Sequence, residues 1–177
     1  MKEVLNKLKK GTIIEFGDNK AVVVSNLMKF KEFYFIYADI IENADNNIPC
    51  CTYKIDDKIA LIIRDKEKLL QMGLTAEERK AIYCHELGHC FSINQKNKMQ
   101  KGRDVFEEVD SDTFAVKQCG ISPYVLERAL AKSYEYEIKN ISRKKSLTQE
   151  RVDRYIQEMK ARKRNVEKLI QEYERGR

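Results

Sequence analysis

Nothing in this chain is suited to crossing a membrane. The longest apolar run, Phe33-Tyr34-Phe35-Ile36-Tyr37-Ala38, falls far short of the roughly 20 residues that span a bilayer as a helix. Residues 1–10 are charged and hold no apolar stretch of the length a secretory leader requires. A cytoplasmic protein is the expectation. Cysteines are few and odd in number: Cys50, Cys51, Cys84, Cys90 and Cys119, with no C-x-x-C pair among them. An odd set without a leader argues against a disulfide framework. Reduced thiols packed as small apolar groups are the default. Histidine is scarcer still, at two residues. No internal repeat or low-complexity segment stands out.

What remains is a chain of 177 residues, long enough for one domain with a sizeable core and an appendage. Charged residues make up 35% of it, above the average for soluble domains, which implies long solvated helices. The net charge is +6, and many of the lysines and arginines follow Arg143. Such a tail can contact nucleic acid or an acidic partner. The wet face of a helix explains it more simply.

The first half reads as strands. Thr12 to Phe16 and Ala21 to Leu27 flank Gly17-Asp18-Asn19, a turn composition, and suggest a hairpin. Glu32 to Ile41, Cys50 to Lys54 and Ile59 to Ile63 follow as strands. The second half reads as helices. Thr75-Ala76-Glu77-Glu78 is a capping box opening a helix that runs to about Ile93. Asn94 to Gly102 reads as a loop, and Asp104 to Glu107 repeats the capping pattern. That next helix ends at Gly120, suited to a left-handed cap. Ser122-Pro123 starts another, with proline in the first turn. Ser146 to Gln149 starts the last, which runs to about Tyr173. Its Val152, Tyr155, Ile156, Met159, Val166, Leu169, Ile170 and Tyr173 form an amphipathic stripe, fit to pack on the same domain or on a second copy. The fold class is thus α+β: mainly antiparallel strands over residues 1–65, helices over 66–145, and a charged amphipathic helix over 146–177. Residues 1–145 would form the main domain.

The strongest motif is His85-Glu86-Leu87-Gly88-His89. Residues four apart on a helix project from one face. Two imidazoles so placed can bind one zinc ion, and Glu86 is then placed as general base toward a water. Both histidines of the chain fall in this register. A catalytic zinc takes three protein ligands and keeps one open position. Glu108, 18 intervening residues after His89, is the candidate third ligand. Glu107, Asp110 and Cys119 are alternatives. Asp112, four residues on from Glu108, fits the carboxylate that accepts the other ring N–H of a ligating histidine, His85 first. The arrangement expected is helix, loop, antiparallel helix.

At this point the chain resembles a known family. His-Glu-x-x-His, then about twenty residues, then Glu-x-x-x-Asp is similar to gluzincin metallopeptidases. Glu108-Val109-Asp110-Ser111-Asp112-Thr113-Phe114-Ala115 resembles more closely the ImmA/IrrE family, which commonly reads Glu-x-Glu-Ala-(Asp/Asn)-x-Phe-Ala here. The likeness covers roughly residues 58 to 120, and the chain departs from the pattern at Asp110 and Ser111. The resemblance implies a small zincin-like domain with Zn2+ held by His85, His89 and Glu108, Glu86 as catalytic base and Asp112 behind the ligands. It also implies a zinc endopeptidase whose protein substrate is a helix-turn-helix transcriptional repressor of a phage or mobile element.

Hydrolysis also needs a donor for the developing oxyanion. Tyr124, Tyr134, Tyr136 and Arg128 are candidates. Substrate backbone would pair with an edge strand. Ile59 to Ile63 is the candidate, although its continuous apolar composition suits an interior strand equally. Cys84 and Cys90 flank the motif and read as core. Cys50 or Cys51 could instead occupy the open metal position. Two other readings compete: a zinc-binding interaction protein without proteolysis, and a nucleic-acid-binding protein acting through the basic helix.

Overall fold

A computed structural model describes residues 8–16, 19–43, 49–91, 105–141 and 148–176. The Asn94–Gly102 loop, the Asp104 cap, Gly17-Asp18 and Ser146 lie outside the described residues. The chain divides into two compact units, Met1–Leu70 and Gln71–Arg177.

The first unit is a six-stranded sheet. Its strands are β1 (Ile13–Phe16), β2 (Asn19–Val23), β3 (Met28–Phe30), β4 (Phe33–Asn43), β5 (Cys50–Asp56) and β6 (Ile59–Arg64), followed by the short helix α1 (Lys66–Gln71). The order is β1-β2-β4-β6-β5, with β3 also on β4. All pairings are antiparallel except β4 with β6. The 11-residue β4 is long enough to hold β3 and β2 in succession along one side. Between those two ladders the Ser25 hydroxyl accepts the Tyr37 N–H at 2.8 Å. Ala21, Val23, Ile36, Ala38, Leu61 and Ile63 form the core.

β6 corrects one expectation. Ile59–Ile63 is not an edge strand, because β4 pairs on one side of it and β5 on the other. All five residues are buried, so both faces are covered, which is why the run is apolar without alternation.

The second unit is helical: α2 (Ala76–Phe91), α3 (Val105–Lys117), α4 (Pro123–Ile141) and the 27-residue α5 (Gln149–Arg175). The capping box forms. The Thr75 hydroxyl accepts the Glu78 N–H at 3.2 Å, and the Glu78 carboxylate accepts the Thr75 N–H at 2.8 Å. Glu78 is itself buried, and Lys132 of α4 donates to it at 2.7 Å. Burial raises its pKa, but the Lys132 and Thr75 bonds outweigh that and leave it lowered. The start of α2 is thereby fixed to α4. After α3, Gly120 adopts φ 72° and returns its N–H to the Val116 carbonyl at 3.1 Å. Val166 and Leu169 of the α5 stripe are buried, and the helix lies against α3 and α4. Among the described residues, no helix is long and apolar enough to cross a membrane.

Candidate metal centre

The site lies between α2 and α3 and is closed from behind by α5. The pairings run in opposite directions along the two helices. His85 meets Asp112, while His89 meets Ser111. The two helices are therefore antiparallel, as the spacing predicts. Glu108, one turn before Asp112, then falls level with both imidazoles.

His85, His89 and Glu108 form a group that could hold a metal ion. The Nε2 atoms of the two histidines are 3.1 Å apart. Glu108 Oε2 is 3.2 Å from His85 Nε2, and Oε1 is 3.5 Å from His89 Nε2. Ligands about 2.0–2.1 Å from a tetrahedral ion stand about 3.3–3.4 Å from one another. A different Glu108 oxygen approaches each imidazole, and one ligand atom from each of the three residues lies within 4.8 Å of the others, close enough for one ion to draw together. Glu86 is buried at 5% exposure in the same turn of α2. Glu107 approaches the other nitrogen of His89, with Oε1 3.4 Å from Nδ1, so it stands behind a ligand. Among the described residues Cys119 and Asp110 belong to no such group.

Both imidazoles are oriented from the rear. His85 Nδ1 is 2.8 Å from Asp112 Oδ1, and His89 Nδ1 is 3.0 Å from Ser111 Oγ. With Nδ1 donating in each ring, the Nε2 lone pairs converge on the space beside Glu108. Ser111 is one of the two positions at which the chain departs from the resembled pattern. Here its hydroxyl is placed to orient the second histidine.

A residue the sequence reading missed completes the site. Arg162 of α5 is buried at 6% exposure. Its Nε and Nη2 donate to the two oxygens of Asp112 at 2.9 and 2.8 Å, and its Nη1 donates to Glu108 Oε2 at 3.0 Å. Tyr134 of α4 presents its ring 5.8 Å from the guanidinium. Of the four oxyanion candidates, Tyr134 alone is seen to adjoin this cluster, through Arg162. Tyr124 donates to Glu174, Tyr136 donates to Gln71 at 3.1 Å, and Arg128 lies 3.5 Å from Glu78. None of the five cysteines is in a disulfide. Cys84, Cys90 and Cys119 are buried in the helical unit, while Cys50 and Cys51 belong to β5 of the other unit.

The electrostatics follow from burial and charge. Burial and the Arg162 guanidinium push the His85 pKa down, but Asp112 and Glu108 outweigh them and raise it to about 9. Burial acts to raise Glu108 and Asp112, yet His85 and Arg162 hold both carboxyls well below their ordinary range. In protein stripped of metal, a proton on His85 would therefore balance part of this negative charge. A raised folded-state pKa stabilises fully below the unfolded value and ceases to do so as pH rises through the folded one. Metal-free protein is expected to lose thermal stability as pH rises from about 6.5 to 9. A Tm profile that is flat across that window would contradict this charge arrangement.

Compared with known proteins, the chain matches no family model, no curated protein and no solved structure.

Proposed function

We propose that this chain is a zinc-dependent endopeptidase. The observation that carries the reading is the convergence of His85 Nε2, His89 Nε2 and a Glu108 oxygen, with Glu86 a buried residue in the same helical turn. Two nitrogens and one carboxylate, with a fourth position left for water, form a donor set that suits catalytic zinc. Zinc bound there would supply Lewis acidity, lowering the pKa of a water and polarising a carbonyl. Metal binding alone needs no carboxylate at position 86. As a base, Glu86 takes a proton from water and then delivers it to the leaving amine. Asp112, an acceptor, favours the His85 tautomer that leaves Nε2 free, and Ser111 holds the His89 ring in place. The resemblance to the ImmA/IrrE family supports a protein substrate, a helix-turn-helix repressor of a phage or mobile element, met in the cytoplasm.

The test starts from metal. Protein stripped with a chelator and reloaded should take up about one zinc per chain. At a hundredfold excess of free zinc over its Kd, the gain is about 2.7 kcal/mol, read as a rise in Tm. His89→Ala should abolish that rise. Reloaded wild type should cut a helix-turn-helix repressor offered as substrate, and stripped protein should not. A chain that takes up no zinc would end this reading.

A further inference from the structure

Arg162 is far in sequence from the motif, yet it makes three hydrogen bonds to two carboxylates at the metal cluster. We propose, resting on the metalloenzyme reading above, that Arg162 is a positioning residue that makes the C-terminal helix an integral part of the metal centre.

Consider charge first. Glu86, Glu108 and Asp112 are all buried to 5% exposure or less. In their working, ionised forms they bring three negative charges into a site of low dielectric, and a divalent cation cancels two. Arg162, buried against Glu108 and Asp112, cancels the third, while Glu107 and Glu158, whose side chains are 25% and 26% exposed, keep their charges partly in solvent. An uncompensated charge at such a site is costly to desolvate, so a balanced set of buried charges is the stable one. Arginine suits this place because it does not give up its proton when buried.

Geometry gives the second part. Asp112 presents Oδ1 to both His85 Nδ1, at 2.8 Å, and Arg162 Nη2, at 2.8 Å. Arg162 Nε takes Oδ2 at 2.9 Å. The bidentate fork fixes the plane of the carboxylate, and the carboxylate fixes the ring of His85. The remaining arm, Nη1, holds Glu108 Oε2 at 3.0 Å, on the ligand that the helix α3 supplies. One side chain thus sets two of the three ligands. The guanidinium is itself held: Glu158, one turn earlier, lies 3.6 Å from Nη1, and the Tyr134 ring stands against it. Next to it, Asn165 donates to the Val109 carbonyl and to Thr113 Oγ1, each at 3.2 Å. Asn165 fastens α5 to α3 without touching a ligand and so separates helix docking from the action of the arginine.

The experiment compares Arg162→Met, Arg162→Lys and Asn165→Ala with wild type. Zinc affinity is read by competition with a chromophoric chelator, and ligand geometry by the visible absorption of the Co2+-loaded protein. Far-UV circular dichroism checks the fold. Arg162→Met should weaken zinc by about 10- to 100-fold, the range for groups that orient ligands, and should alter the Co2+ bands. Arg162→Lys keeps the charge and loses the fork. It should fall between, and it serves as the test if the Met variant does not fold. Asn165→Ala should lower Tm yet keep zinc affinity within about twofold. Equal or tighter zinc binding by Arg162→Met would overturn the proposal, marking the arginine as a bystander or a competitor of the metal. So would a loss in Asn165→Ala as large as in Arg162→Met, since docking alone would then account for it. If wild type binds neither ion, the metalloenzyme reading fails, and this proposal fails with it.

Discussion

On the proposed peptidase reading, Glu86→Gln is expected to slow hydrolysis by roughly 10²- to 10⁴-fold while leaving metal content unchanged. Glutamine has the size of glutamate and keeps one carbonyl acceptor, so the packing of α2 around position 86, where exposure is only 5%, is preserved. What it loses is the capacity to take up a proton. General-base assistance is worth roughly 10²- to 10⁴-fold in rate, and cleavage should fall by a factor in that range. His85, His89 and Glu108 are untouched by the change, so zinc per chain and the Co2+ spectrum should match wild type. The measurement is a time course of repressor cleavage for the two proteins at equal zinc loading. Equal rates would remove Glu86 from the chemistry. Two zinc-loaded proteins that bind the repressor and leave it whole would favour the interaction-protein reading, in which the site holds metal without hydrolysis.

The difference between this prediction and those on Arg162 shows where the sequence is informative. Glu86 and the histidines are legible because they lie within one helical turn, and helix geometry alone puts them together. Glu108 and Asp112 are legible one step less directly: a loop and a second capping pattern make the return helix, and a four-residue interval sets the face. The sequence offers Glu107 only as an alternative ligand and Ser111 only as a departure from the resembled pattern, because a first-turn carboxylate or a hydroxyl has many local explanations. Arg162 lies 50 residues beyond Asp112, and no local rule spans that distance. Yet a trace of it is present. Tyr155, Met159, Val166, Leu169 and Tyr173 follow one another on the apolar face of α5, and position 162 falls between Met159 and Val166 at spacings of three and four. An arginine in the middle of that stripe is a charge on a face that must be buried, and a buried charge calls for a partner. In the strand half, the apolar composition of Ile59–Ile63 was consistent with an edge or an interior position. Only the pairing of β4 and β5 on either side decided it, because ladder order is a property of the whole sheet.

Gly88→Ala should damage the site as severely as removal of a ligand, although Gly88 bears no functional group. A Cβ built at position 88 would lie 2.6 Å from Ser111 Cα, 2.9 Å from Ser111 O and 3.0 Å from Ser111 Cβ. The first two are backbone of α3 and cannot swing aside as the end of a side chain could. The helices cross at this point because glycine lets their backbones touch. Alanine is the better helix former by about 1 kcal/mol, and in an exposed helix the substitution would stabilise. Here overpacking costs about 1–3 kcal/mol or more, so the net change should be a loss. The displacement matters more than the energy. Ser111 is the partner of His89 Nδ1 at 3.0 Å, and Asp112 and Glu108 lie on the same helix. If α3 moves outward, all three contacts lengthen together, whereas a single-ligand variant loses one. Zinc affinity should fall by at least about 100-fold, beyond the range for loss of one orienting group, and Tm should fall even without metal. The check is to measure both quantities on Gly88→Ala beside Glu86→Gln, which shares the helix turn. A Gly88→Ala protein with wild-type zinc affinity would mean that α2 and α3 do not meet as closely as 2.6 Å implies, and the convergence of His85, His89 and Glu108 would lose its structural basis.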